Sequence, residues 1–221
     1  MLHGFPEFWW SWRRQIPALA ERFRVVAVDM RGFNESDKPT YGYDLTTLAG
    51  DIAGLIHHLG GKAHVVGRDW GGAVAYQLAM DSPRKVDKLA ILNAPHPDVW
   101  IESWLTHPEQ QRMSWYVFFN LLPDLPEALY KEQFDAGTIR LAKVMHPDAL
   151  DVYRRAFNKP GVASAAVNYY REIVRDIERR RRQKPKRITR PVRVLWGAED
   201  VALDPIVNEI AARWCDDFDV T

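Results

Sequence analysis

A single cysteine, Cys215, stands among the 221 residues. That excludes an intramolecular disulfide, and a reducing compartment is the natural expectation. Cys215 itself reads as a passive packing residue. Neither sign of charge is in excess, because 30 Lys and Arg face 29 Asp and Glu for a formal net charge of +1. A chain so balanced carries no electrostatic footprint for nucleic acid or a membrane surface. No apolar run is long enough to span a bilayer, and no basic stretch followed by an apolar one opens the chain as a secretory leader would. Internal repeats and low-complexity tracts are lacking too. The expectation is a cytoplasmic chain, long enough for one α/β domain with an insertion and a substantial core.

What is present is an alternation of strands and helices. Met1-Leu2-His3-Gly4-Phe5-Pro6-Glu7 reads as the end of a strand running into a loop. Trp9 to Glu21 has apolar residues at roughly helical spacing. Arg24 to Asp29 reads as a buried strand, and Leu45 to Leu59 as an amphipathic helix closed by Gly60-Gly61. Ala63 to Gly67 is a β-branched run, Val86 to Asn93 another strand, and Pro191 to Trp196 a further one. A helix is expected from about Pro205 to Trp214, with a new strand beginning at Asp219-Val220-Thr221. This order argues for a parallel sheet covered on both faces. Between Val99 and about Lys184 the periodicity is helical throughout, with Trp, Tyr and Phe concentrated in its first third. The expected organisation is a core over 1–96, a helical cap over 97–187 and a second, incomplete part of the core over 188–221. The basic run Arg179 to Arg187 reads as a solvated helix end and linker, with no function assigned.

The most informative stretch is Gly67-Arg68-Asp69-Trp70-Gly71-Gly72, where a strand meets a helix across a turn of three glycines. Added Cβ atoms at Gly67, Gly71 and Gly72 would clash in a turn so tight. Asp69 sits at its tip, beside the unpaired N–H groups of a helix start. The geometry is that of a G-x-S-x-G nucleophile elbow with Asp in place of Ser. Such an Asp can attack an sp³ carbon and form an alkyl ester that water must then hydrolyse. An Asp capping the following helix is the alternative, and the local sequence leaves both open.

Four segments together carry a resemblance: His3-Gly4-Phe5-Pro6-Glu7, the Asp69 elbow, Asn93-Ala94-Pro95-His96-Pro97 and Trp196-Gly197-Ala198-Glu199-Asp200. In this order and around a helical insertion, they resemble the epoxide hydrolases of the α/β-hydrolase superfamily over essentially the whole chain. The resemblance implies that Asp69 opens an epoxide, and that the backbone N–H groups of Phe5 and Trp70 form the oxyanion hole for ester hydrolysis. It implies that Tyr116 and Tyr170 donate to the epoxide oxygen, and that Asp200 is the acid of the triad. Trp70 and Trp115 are expected to contact substrate, a fairly apolar epoxide, with water as co-substrate. Neither cofactor nor metal is implied. Tyr169 reads as a core aromatic.

Three departures shape the expectation. The triad His should follow Asp200, and no His follows His146. The ester would then persist, and the chain as given would not complete turnover to a diol. The strands that precede His3-Gly4 in the family, and its C-terminal strand and helix, are also expected to be missing. Loss of the strand between Arg24–Asp29 and the elbow strand would leave a gap of about 10 Å. Arg68 stands where relatives usually carry His. Two other readings stay in view: a haloalkane or haloacetate dehalogenase, and a non-catalytic truncated remnant. Against the dehalogenases stand Phe5, where haloalkane enzymes often carry Asn, and Tyr116-Val117, where fluoroacetate enzymes place His-Trp.

Overall fold

The computed structural model describes residues 1–139 and 147–221, with no side-chain description at 147 and 148. His146 and the rest of 140–146 lie outside the described residues. The ordered elements are α1 (Ile16–Ala20), α2 (Leu45–His58), β1 (Ala63–Arg68), α3 (Trp70–Asp81), β2 (Val86–Leu92), α4 (Pro97–Thr106), α5 (Pro108–Met113), α6 (Trp115–Phe119), α7 (Leu125–Asp135), α8 (Pro147–Phe157), α9 (Val162–Arg175), α10 (Ile177–Arg181), β3 (Val192–Leu195), α11 (Ile206–Ala212) and β4 (Phe218–Val220). The sheet runs β1-β2-β3-β4 with every pair parallel. Buried positions alternate with more accessible ones along β2 and β3, so one face of the sheet packs against helices more fully than the other. The described part of the segment from α4 to α10 is helical, as its periodicity predicts.

Two expected elements differ. The helix expected from Trp9 to Glu21 breaks into a 3₁₀ turn over Trp9–Trp12 and the short α1. Pro17 lacks an N–H and suits only a first turn, so the α-helix starts next to it. Residues 24–29 do not form a buried strand. They are exposed or half-buried and pair through one bridge, Val28 to Leu2, which also bridges Gly67 of β1. The gap between this segment and β1 does not close. It is an apolar cleft of about 630 Å³ whose walls include Val26, Leu55, Val65 and Leu89. A strand is stabilised by its neighbours, and here Leu2 meets both edges through single bridges, to Val28 and to Gly67.

The helices that frame the site are set by local chemistry. Asp44 caps α2, accepting from the Thr47 N–H at 3.0 Å and the Thr47 hydroxyl at 2.6 Å, and Leu48, Ile52 and Ile56 turn inward. The basic run at α10 is not wholly solvated. Arg180 is 5% exposed and donates to Asp98 (2.7 Å), Asp176 (2.8 Å) and Gln77 (2.8 Å), which ties α10 to α4 and α3. A buried guanidinium is tolerated because its fork is satisfied on three sides. The exposed neighbours Arg181 and Arg182 fit the solvated reading.

Candidate active site

Asp69 stands between β1 and α3 with φ 52° and ψ −123°, a conformation a non-glycine residue adopts only when its surroundings enforce it. The surroundings are tight. A Cβ at Gly67 would lie 2.4 Å from the Gly71 carbonyl oxygen, and one at Gly71 would lie 2.4 Å from the Leu2 oxygen. The chain end before the first loop and the turn itself can touch only where those side chains are absent.

This geometry bears on the capping reading of Asp69 left open by the sequence. Its side chain makes no capping hydrogen bond to α3. Oδ1 instead accepts from the backbone N–H of Phe5 at 2.8 Å, and the Trp70 N–H also favours the charged carboxylate. The two backbone donors expected to form an oxyanion hole therefore converge on Asp69. Burial pushes the carboxyl above its ordinary range, the Phe5 and Trp70 N–H groups and the Arg68 charge oppose this, and the Asp200 charge adds to it. Gly4 makes the approach possible, since a Cβ there would sit 2.5 Å from Asp69 Cβ. Gly4→Ala is expected to displace Asp69 and cost roughly 1–3 kcal/mol by overpacking. A denaturation midpoint equal to that of the unmodified chain would refute this packing constraint.

Asp69 lines an apolar pocket together with Trp70, Tyr116, Tyr170, Trp100 and Leu203, among others. Tyr116 comes from α6 and Tyr170 from α9, and their rings meet edge to face at 5.8 Å. Tyr170 also packs on Trp70 at 5.0 Å. Burial and the nearby Asp69 charge raise both phenols above the usual tyrosine range, so both keep their protons. Tyr169 turns the other way and donates to the Arg31 carbonyl at 2.7 Å, as a core aromatic would.

Asp200 follows β3 in a fully hydrogen-bonded position. Oδ1 accepts from the N–H groups of Ala202 (2.8 Å) and Leu203 (3.0 Å), and Oδ2 accepts from Asn93 Nδ2 at 2.7 Å. Asn93 has φ 42° and lies immediately after β2, where its Oδ1 also accepts from the Gly197 N–H at 3.0 Å. The motif Asn93-Ala94-Pro95-His96-Pro97 names Asn93 but does not reveal this contact with Asp200. Its partner lies 107 positions away, and only the side-by-side ends of β2 and β3 bring the two together.

Trp115 is not where it was expected. It is 65% exposed and outside the pocket lining. The helix α6 is apolar at all five positions, so periodicity could not set its rotation, and the fold turns Tyr116 and Val117 inward instead. Arg68 does not line the pocket either. Its Nη1 donates to the buried Glu7 at 2.5 Å, which bridges the first loop to β1. No described histidine lines the pocket. His57, His58 and His64 are exposed, His107 meets the Thr106 hydroxyl, and His3 and His96 are buried structural groups.

Comparison with known proteins fits this arrangement. The family described as alpha/beta hydrolase fold matches residues 1–221. Mouse "Epoxide hydrolase 4" is 36% identical over 225 residues, covering 95% of this chain. The chain belongs to the epoxide hydrolases of the α/β-hydrolase superfamily. It spans 61% of the length of that mouse relative. The superfamily protein YfhM of Bacillus subtilis is 38% identical, with 97% of this chain and 78% of that protein covered. Among solved structures, the F128A mutant of a Bacillus megaterium epoxide hydrolase, complexed with its product (R)-3-[1]naphthyloxy-propane-1,2-diol, superposes with a TM-score of 0.90. It is 26% identical, and the match covers 100% of this chain and 82% of that one. The α/β-hydrolase fold with its parallel sheet is thus shared with the family, as the resemblance implied. Among the described residues no helix is long and apolar enough to cross a membrane.

Proposed function

We propose that this chain carries the alkylation half of an epoxide hydrolase reaction, with Asp69 as nucleophile and Tyr116 and Tyr170 as the paired donors to the epoxide oxygen. The observation that carries the reading is the convergence of one strained, backbone-held carboxylate and two protonated phenols on one apolar pocket. Attack of Asp69 Oδ on a ring carbon breaks the carbon–oxygen bond. A phenol supplies the proton taken up by the departing alkoxide. Among the described residues the pocket offers no charged side chain besides Asp69, which favours an uncharged, apolar epoxide as substrate. Phe5 and Trp70 N–H groups would stabilise the tetrahedral intermediate in ester hydrolysis, and Asp200 would orient an imidazole base.

That base is not among the described pocket residues. The reading predicts an alkyl-enzyme ester on Asp69. Intact mass after exposure to styrene oxide should show a single stable adduct that maps to Asp69. Replacing Tyr116 and Tyr170 together by Phe should slow its formation by roughly 10²–10⁴-fold, the usual range for removing acid catalysis. Halide release from a chloroalkane with no adduct from the epoxide would instead favour a dehalogenase. Turnover to diol with no adduct trapped on Asp69 at any time would refute the Asp69 ester.

A further inference from the structure

One ion pair has no part in the chemistry above, yet it joins the loop that holds the nucleophile to the strand that carries it. The first loop is tied to β1 twice. At its start Leu2 donates to the Val66 carbonyl at 2.8 Å and accepts from the Arg68 N–H at 3.1 Å. At its end the Glu7 carboxylate accepts from Arg68 Nη1 at 2.5 Å. Between the ties the Glu7 N–H donates to the Gly4 carbonyl at 2.9 Å and closes a tight turn. The Phe5 N–H that reaches Asp69 Oδ1 lies inside that turn. Neither Glu7 nor Arg68 lines the pocket. Glu7 keeps 8% of its side chain exposed and Arg68 40%. Burial pushes the Glu7 carboxyl up, Arg68 and the Gly4 N–H oppose this, and the Asp69 charge adds to it. Tyr153 of α8 also feels the charges of Glu7, Arg13 and Arg68.

We propose that Glu7 and Arg68 are positioning residues for the nucleophile. Their ion pair clamps the first loop on β1, so that the Phe5 N–H fixes one oxygen of Asp69 and leaves the other to attack. This rests on the reading of Asp69 as nucleophile, and it adds what orients that carboxylate from outside the pocket. Reactivity depends steeply on such placement, since a shift of about 1 Å caused by a distant change can lower a rate about 10²-fold. A role through charge alone has the opposite sign. Without Glu7 the Arg68 cation would stand uncompensated beside Asp69, favour its ionised form against burial and the Asp200 charge, and speed alkylation at acid pH.

Glu7→Leu is the variant that tests this, because it removes the buried charge and leaves the partly exposed Arg68 able to turn to water. Removing Arg68 would instead strand a buried carboxylate. Adduct formation on Asp69 is followed by intact mass against time, styrene oxide concentration and pH. The rate at saturation is expected to fall about 10- to 100-fold at every pH, with the half-saturating concentration unchanged. Glu7→Gln, which still accepts from Arg68, should fall between the variant and the unmodified chain. An unchanged rate, a faster one at acid pH, or a loss confined to the half-saturating concentration overturns the proposal. A second readout needs no reaction. In ¹⁵N-phenylalanine-labelled protein, the Phe5 amide proton should move upfield in Glu7→Leu as its bond to the Asp69 carboxylate lengthens, with near-ultraviolet circular dichroism showing that the variant is folded. A resonance that stays in place also overturns it. If styrene oxide does not alkylate Asp69 in the unmodified chain, the nucleophile reading fails, and the Phe5 resonance alone decides whether the pair holds the loop.

Discussion

Asp69→Asn is expected to abolish the covalent adduct completely and, at neutral pH, to make the folded chain more stable. The first effect follows from chemistry, because a carboxamide is not a nucleophile toward an epoxide carbon under these conditions. The second follows from the electrostatics of the elbow. Burial raises the Asp69 carboxyl above its unfolded value, and the donors around it do not fully compensate. A carboxyl whose folded pKa is raised binds protons more readily in the folded state. Its contribution to stability is present at low pH and is lost as pH rises through the folded value. At pH 7 the ionised group is therefore a cost, which Asn removes while its amide oxygen can still accept from Phe5. Each 1 kcal/mol recovered would raise the melting midpoint by about 2–4 °C in a chain of this size. An adduct that survives the substitution would mean another nucleophile. A lowered midpoint at pH 7 would mean that the Phe5, Trp70 and Arg68 interactions outweigh burial.

The second large effect is acid sensitivity from two histidines that play no part in the chemistry. His3 is 1% exposed, with Nδ1 donating to the Gly4 carbonyl at 3.0 Å and Nε2 accepting from the Met30 N–H at 3.0 Å. That pair of bonds requires the neutral ring. His96 is completely buried beside Tyr76, and neither of its nitrogens has a partner. Burial lowers each from 6.5 to about 4. A histidine whose folded pKa is lowered contributes stability that is complete above its unfolded value and is lost as pH falls from about 6.5 towards 4. Each such shift corresponds to about 3 kcal/mol, so the two together rival the net stability of an ordinary domain, about 5–15 kcal/mol. Asp69 and Glu7, both raised by burial, act in the opposite direction and recover part of the loss. The expected result is steep unfolding between pH 5 and 4, followed by tryptophan fluorescence. His96→Phe should shift that transition to lower pH, and an unshifted transition would show that His96 does not control it.

How much of this could be read without coordinates depends on how local each feature is. The strand–turn–helix around Asp69, the capped helix α2 and the parallel strands β1 to β3 follow from periodicity and glycine spacing within a few residues. Those are short-range steric facts, and the sequence determined them by itself, along with the family. The segment 24–29 shows the limit, since its β-branched residues suit a strand but a ladder also needs neighbours. The rotation of α6 was undetermined because all five of its residues are apolar, so which aromatics enter the pocket depended on packing. Tertiary structure alone decided that the Asp69 carboxylate turns to Phe5, 64 positions away, and that Arg68 turns to Glu7, 61 away. It alone placed Asn93 on Asp200. The reason is common to all three. A side chain's partner is set by which strand and helix ends the sheet brings together, and sequence separation carries no information about that distance.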